Sequence, residues 1–222
     1  MAKRAEKKKL QKVIIVGARV DGHAKVVLEI IQAERKYDVV GFIDDNLKNT
    51  AIRGFKVIGT TNDLPNLRKK FKIFGGIVAI GNNPVRRQLA EKVKESGLKL
   101  INAIHPTVHI DSDVTYGEGN VFCQGSIIVA GTTIGSCVNI HTGATVDHDN
   151  VIDDGANLGP GVHTAGRVHI GKDAFLGTGA VVIPDGIIGA GAIIGAGAVV
   201  LKSIDSNCLA VGVPAKIIKK LN

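Results

Sequence analysis

Between Ile128 and Val200 the chain repeats itself every six residues. Steps of six land on Ile128, Ile134, Ile140, Val146, Ile152, Leu158, Thr164, Ile170, Leu176, Val182, Ile188, Ile194 and Val200, of which twelve of thirteen are aliphatic. Two places before most of these stands a small or β-branched residue, as at Thr132, Val138, Ala144, Ala156, Val162, Val168, Ala174, Ala180, Ala192 and Ala198; Asn150 and Gly186 depart from the pattern. A helix repeats every 3.6 residues and a half-buried strand every two, so neither keeps a strict six. A coil with three flat faces, each a short parallel strand followed by a corner, does keep it. The aliphatic residue points inward, the small one lets the corner close, and glycine, present 28 times, serves the tight backbone there. The expectation is a left-handed parallel β-helix of about five coils, with residues eighteen apart stacked at one strand spacing of about 4.8 Å. Its flat faces lead us to expect a homotrimer. The closing "SNCLAVGVPAKIIKKLN" leaves the register and is expected to cap the last coil.

The half that comes before has a different grammar. "KVIIVG", "YDVVGFIDD", "GGIVAIG" and "LKLINAIHP" read as strands, and "HAKVVLEIIQAE" as a helix with Val26, Val27, Ile30 and Ile31 on one stripe. "NDLP" opens a second helix. "NNPVRRQLAEKVKESG" gives a third, with Asn83 as N-cap, Pro84 in the first turn, Val85, Leu89 and Val93 four apart, and Gly97 past its end. Alternating strands and helices predict an α/β, Rossmann-like unit with a mostly parallel sheet. The division expected is a disordered basic tail at 1–11, the α/β unit at 12–105 and the β-helix at 106–222.

The formal charge of +8 is concentrated in "MAKRAEKKKLQK", where six Lys or Arg face one Glu, so it describes a solvated tail better than a nucleic-acid surface. Only 4% of residues are aromatic and Trp is absent, which removes the stacking platforms of single-strand binders. No run of eighteen apolar residues and no signal-peptide pattern occurs, so membrane insertion is not expected and the chain reads as cytoplasmic. Cys123, Cys137 and Cys208 lack CxxC spacing, and we expect reduced structural thiols.

Against this monotony "HTGATVDHDNVI" stands out. His148 falls two places after the inward Val146, so its ring leaves the corner outward, and Asp149 beside it can orient the imidazole. Gly166 lies eighteen residues on and offers a bare backbone amide one coil above. A base next to an amide donor is what acyl transfer requires: one takes a proton from the attacking group, the other steadies the oxyanion. A merely solvated histidine fits the pattern too. His141, His148, His163 and His169 could suggest zinc, but none of these four histidines is eighteen from another, and we expect no metal. In the first half, "GARVDGHAK" is neither a P-loop nor G-x-G-x-x-G. Ligands of open α/β sheets nevertheless gather at the carboxyl ends of the strands, where Gly17, Gly22, His23, Asp44, Asp45, Gly81 and Asn82 should meet; simple turn chemistry is the other explanation.

Taken together, "VGARVDGHAKVV", "VGFIDD", "VAIGNNPVRRQLAEKV", "INAIHPTV", "VDHDNVI" and "VGVPAK" resemble the NeuD/PglD-type sugar O- and N-acetyltransferases. The resemblance implies a trimer holding a nucleotide-sugar substrate in the α/β domain and acetyl-CoA along the β-helix between two subunits. It implies His148 as general base, Asp149 as the acid that tunes it and Gly166 as the oxyanion amide. Asn157 stands where relatives often carry a histidine near the acetyl carbonyl, and Thr178 and Lys216 resemble acetyl-CoA contacts. The first loop is longer than the common GAGGHAK form. The activity so implied is direct acetyl transfer to the amine of a nucleotide-linked 4-amino-4,6-dideoxy sugar. Sialic acid O-acetylation, a zinc hydratase and a non-catalytic sugar-nucleotide-binding trimer are the competing expectations.

Overall fold

The computed structural model describes residues 10–19 and 22–221; most of the tail expected at 1–11, together with Val20 and Asp21 of the first loop, lies outside the described residues. The described chain opens with β1 (Gln11–Val16), α1 (Ala24–Glu34), β2 (Tyr37–Ile43), β3 (Ala51–Ile52) and β4 (Phe55–Gly59). A 3-10 turn leads into α2 (Leu64–Phe71), and β5 (Gly75–Val78), α3 (Asn83–Glu95) and β6 (Lys99–Leu100) follow. The sheet order is β3-β4-β2-β1-β5-β6, parallel throughout except for β3 against β4. Central β1 is apolar because both of its faces are covered: Val13, Ile14, Ile15 and Val16 are all buried.

From Ala103–Ile104 onward the chain winds into a parallel β-helix of two-residue strands. Its three sheets have eight, six and five strands, the first face running from Ala103–Ile104 to the C-terminal hairpin. Partners are eighteen residues apart, as in Thr145 beside His163 and Asn139 beside Asn157. Every aliphatic residue of the six-step from Ile128 to Val200 is buried, and Thr164 joins them. At most corners the small residue's N–H bonds the carbonyl three places back, for example Ala144 to His141 at 3.0 Å and Ala174 to Gly171 at 3.1 Å. The residue just before it takes the left-handed conformation at most corners, Gly143 at φ 66° and Asp149 at φ 57°, which accounts for the glycines at that place. The strand Cys208–Val211 extends the first face, and Lys216–Lys220 pairs antiparallel to it as the cap.

Four details differ from the sequence expectations. "LKLINAIHP" is two strands: β6 closes the α/β sheet, while Ala103–Ile104 already pairs with Val121–Phe122 in the coil, which therefore begins before residue 106. β1 begins at Gln11, inside the expected tail. The N-cap of α3 is Asn82, whose Oδ1 accepts from the Val85 N–H at 3.0 Å; Asn83 is turned inward instead. Finally, the buried face of α3 is Asn83, Arg86, Ala90 and Val93, and Val85 is exposed. That helix faces corner carbonyls of the coil, which need donors more than methyl groups. Arg86, fully buried, donates to the carbonyls of Cys137 (2.9 Å), Ile80 (3.0 Å) and Gly155 (2.7 Å), and Asn83 to those of Asp173 and Ala174. Arg87 pairs with the Asp173 carboxylate. On the other side α1 shares its core with Ala103, Val121 and Cys123, so the two modules are fused by packing on both flanks.

Candidate active site

The carboxyl ends of β1, β2 and β5 open onto a cleft of about 730 Å³. It is lined by Gly17, Gly22, His23, Asp44, Gly81 and Asn82 from the expected set, together with Arg19 and Asn46. Asp45 instead lines a smaller neighbouring cleft, and its carboxylate accepts from the N–H (2.7 Å) and hydroxyl (3.0 Å) of Thr61. Asp44 shapes the cleft by accepting from the backbone N–H groups of Ala18 (2.8 Å), Asn46 (2.9 Å) and Leu47 (3.0 Å), tying the first loop to the turn after β2. Gly17 is required sterically: its φ is +103°, and a Cβ there would lie 2.8 Å from Ile80. A Cβ at Gly81 would meet nothing, so that glycine keeps the cleft wide.

The inner wall of the cleft reaches the coil. His23 packs against His141 with ring centroids 5.0 Å apart and planes tilted by 51°, and His141 Nε2 lies 3.2 Å from Asn157 Oδ1, which also accepts from Asn139 Nδ2 at 3.2 Å. Because an amide oxygen only accepts, His141 carries its proton on Nε2 in this arrangement. Desolvation, then the neighbouring His141 and Arg86, push His23 down to about 3, and desolvation also lowers His141. Both rings are therefore neutral near pH 7, and His23 Nε2 is sealed from solvent with no partner among the described residues. Asn157, almost fully buried on the first face, has its oxygen engaged, which turns its NH2 group to the other side.

His148 occupies a different corner, between the second and third faces. The left-handed Asp149 swings its carboxylate to the same side as the ring, and His148 Nδ1 meets Asp149 Oδ2 at 2.8 Å. The carboxylate can only accept, so Nδ1 carries the hydrogen and Nε2 holds a free lone pair. The side chains are 45% and 61% exposed, open to an approaching molecule. Gly166 lies against the ring: a Cβ at that position would collide with imidazole atoms, so only glycine leaves the ring its place. The Gly166 amide has no hydrogen-bond partner among the described residues. Thr178 is an exposed corner residue and Lys216 an exposed residue of the terminal hairpin; neither lines the large cleft. Within one chain the cleft group and the His148 group are thus two separate sites.

Among the described residues no three His, Cys, Asp or Glu side chains gather as a metal ligand set, and no helix is long and apolar enough to cross a membrane. The cysteines are buried and reduced; desolvation pushes Cys123 up to about 12 and Cys137 up to about 11, far from thiolate chemistry. Sequence reasoning missed Arg86 and the contact of His23 with His141, since no local pattern marks a side chain that meets residues more than fifty positions away.

Residues 12–93 match the PglD N-terminal domain and residues 167–202 the bacterial transferase hexapeptide family of six repeats. The chain is 37% identical over 112 residues to UDP-N-acetylbacillosamine N-acetyltransferase of Bacillus subtilis, an alignment covering 50% of this chain and 51% of that protein. It is 34% identical over 115 residues to GDP-perosamine N-acetyltransferase of Escherichia coli O157:H7, covering 51% and 50%. These alignments span about half the length of the curated relatives. Solved structures match over nearly everything: a histidine variant of perosamine N-acetyltransferase from Caulobacter crescentus, in complex with CoA and GDP-perosamine, superposes with a TM-score of 0.90 and 40% identity over 95% of this chain and 98% of that one. The acetyltransferase domain of PglB from Neisseria gonorrhoeae, in complex with acetyl coenzyme A, does so with a TM-score of 0.88 and 36% identity over 95% and 100%. With both modules in the same order and this identity across their whole length, the chain belongs to the PglD-type family of nucleotide-sugar N-acetyltransferases.

Proposed function

We propose that the protein transfers acetyl from acetyl-CoA to the amine of a nucleotide-linked 4-amino-4,6-dideoxy sugar, without a metal, as a left-handed β-helical homotrimer in the cytoplasm. The observation that carries this is the His148 corner: an outward imidazole oriented by Asp149, beside the amide of Gly166, with neither Nε2 nor that amide hydrogen-bonded among the described residues. The sugar nitrogen attacks the thioester carbonyl and a C–N bond forms; Nε2 accepts the ammonium proton, and the Gly166 N–H faces the oxyanion. The C–S bond then breaks and the proton passes to the CoA sulfur. Direct transfer fits, since no serine or cysteine stands beside His148 to serve as a nucleophile.

The large cleft suits the nucleotide sugar, with Gly17, Gly22, His23, Asp44, Gly81 and Asn82 around it and Asp45 supporting it through Thr61. Because the cleft and His148 are on different corners of one chain, this reading assembles the site between protomers, with the His148 corner of one subunit meeting the cleft and Asn157 of its neighbour. Exposed Ile127, Val151 and Ile187 on the second and third faces supply apolar surface for such packing. Thr178 and Lys216 are assigned to acetyl-CoA, the lysine to its phosphates.

Turnover assays with acetyl-CoA and UDP- or GDP-linked 4-amino sugars test the reading. His148→Ala should lower kcat by about 10² to 10⁴ while leaving KM for acetyl-CoA nearly unchanged. Full turnover by that variant would remove His148 from the mechanism, and a wild-type chain that acetylates none of these sugars would overturn the assignment.

A further inference from the structure

The sequence pattern is broken at Asn150, a polar residue in the row of small inward side chains. Asn150 is completely buried. Its Nδ2 reaches the carbonyls of Asp147 (2.7 Å), His148 (3.1 Å) and, one coil higher, Ala165 (2.9 Å). From below, Thr132 Oγ1 donates to the Asp147 carbonyl at 3.0 Å and accepts the Asn150 N–H at 3.3 Å. These side chains replace the usual closure of the corner. At most corners the small residue's own N–H bonds the carbonyl three places back; at Asn150 that N–H goes to Thr132, and among the described residues neither Thr132 nor Val168 makes such a bond, while the N–H of Val138 goes to Asn120. Of the corners left open in this way, two in successive coils carry His148 and Gly166.

Peptide geometry turns this into chemistry. The carbonyl of Ala165 and the N–H of Gly166 belong to one planar trans unit and point in opposite directions. A donor inside the coil that holds the Ala165 carbonyl inward therefore aims the Gly166 N–H outward, on the side where the His148 ring lies. The same amide group holds the carbonyls flanking the His148 peptide. We infer that Asn150 is a positioning residue, a buried clamp that sets the Gly166 amide and the His148 corner in register for acetyl transfer. The inference rests on the proposed activity for its consequence, though not for its geometry.

Asn120 supplies a matched control. It braces another pair of corners, donating to the carbonyls of Gly117 (3.2 Å) and Gly135 (3.0 Å) and accepting the Val138 N–H at 2.7 Å, with neither His148 nor Gly166 nearby in the coil. Alanine fills the equivalent place at six other corners, Ala144, Ala156, Ala174, Ala180, Ala192 and Ala198, so Asn150→Ala and Asn120→Ala should both fold. Asn150→Ala is expected to lower kcat by about 10- to 100-fold, less than the about 10² to 10³ of losing an oxyanion donor outright, with KM for acetyl-CoA within about threefold. Asn120→Ala should keep kcat within about twofold. In a His148→Ala background the Asn150 change should cost far less than on its own, because the two act through one site. Equal kcat losses in the two asparagine variants, or full additivity with His148→Ala, would reduce Asn150 to a structural residue and overturn the proposal. A crystal structure of the Asn150→Ala protein separates this from the activity itself. A rotated Ala165–Gly166 peptide supports the clamp whatever the protein acetylates, and an unmoved one refutes it.

Discussion

His148 and His23 are placed by opposite physical strategies within one chain. The coil displays His148 on an exposed corner, with a carboxylate on Nδ1 and no hydrogen bond on Nε2 among the described residues. The α/β cleft encloses His23 against His141 and Arg86, with Nε2 sealed away and its protonation suppressed. The first arrangement suits a group that must take up and release a proton, the second a group that must stay neutral and hold a shape. The difference follows from architecture. A coil corner has solvent on its outer side by construction, whereas the seam between two fused modules traps polar side chains among carbonyls, where they must be paired or remain uncharged.

The largest effect that could break this comparison lies at the seam. Arg86→Met strips the donor from the carbonyls of Cys137, Ile80 and Gly155, and should cost about 3 kcal/mol or more, at about 1 to 3 kcal/mol for each buried group left unpaired. Chemical denaturation measures it, and a loss below about 1 kcal/mol would show the seam to be looser than drawn. Next comes the coil: Leu158→Ala, at a completely buried rung, should cost about 2 to 4 kcal/mol through lost burial and the cavity left behind. A smaller cost would mean that neighbouring rungs collapse into the gap.

The pH response sharpens the contrast between the two histidines. His23 titrates near 3 when folded against 6.5 when unfolded, so between those values the unfolded chain binds the extra proton. Above about pH 6.5 both states are neutral at this site and nothing is lost; as pH falls toward 3 stability drops, by up to about 1.4 kcal/mol per pH unit. Denaturation of wild type and His23→Gln between pH 6.5 and 4.5 should show the glutamine variant with the shallower slope. Parallel slopes would mean that His23 takes a proton in the folded protein. The smallest change in stability is Gly81→Ala, within about 0.5 kcal/mol because its Cβ meets nothing. Its effect should appear as a raised KM for the nucleotide sugar, and an unchanged KM would place the sugar elsewhere.

Legibility in the sequence followed the range of the interactions. The rungs from Ile128 to Val200 were readable because each is fixed by residues within its own coil and the next. The earlier coils were not, since the same register there falls on two aromatic residues, exposed Tyr116 and buried Phe122, which interrupt its aliphatic signature. The pairing of His148 with Asp149 and the stacking of Gly166 could be anticipated from spacing. Helix α3 could not, for its Val85, Leu89 and Val93 stripe looked like a core face while Asn83 and Arg86 made the contacts.

What the amino-acid order determined by itself is the six-residue coil, the alternating α/β unit and the corner that presents an imidazole beside a glycine, because these depend on neighbours one turn or one coil away. Tertiary structure alone decided that α3 spends its buried face on coil carbonyls, that His23 meets His141, and that the cleft and the His148 corner lie apart in a single chain. Those outcomes depend on which unpaired donors and acceptors two modules bring to their common boundary, and no local periodicity encodes that matching.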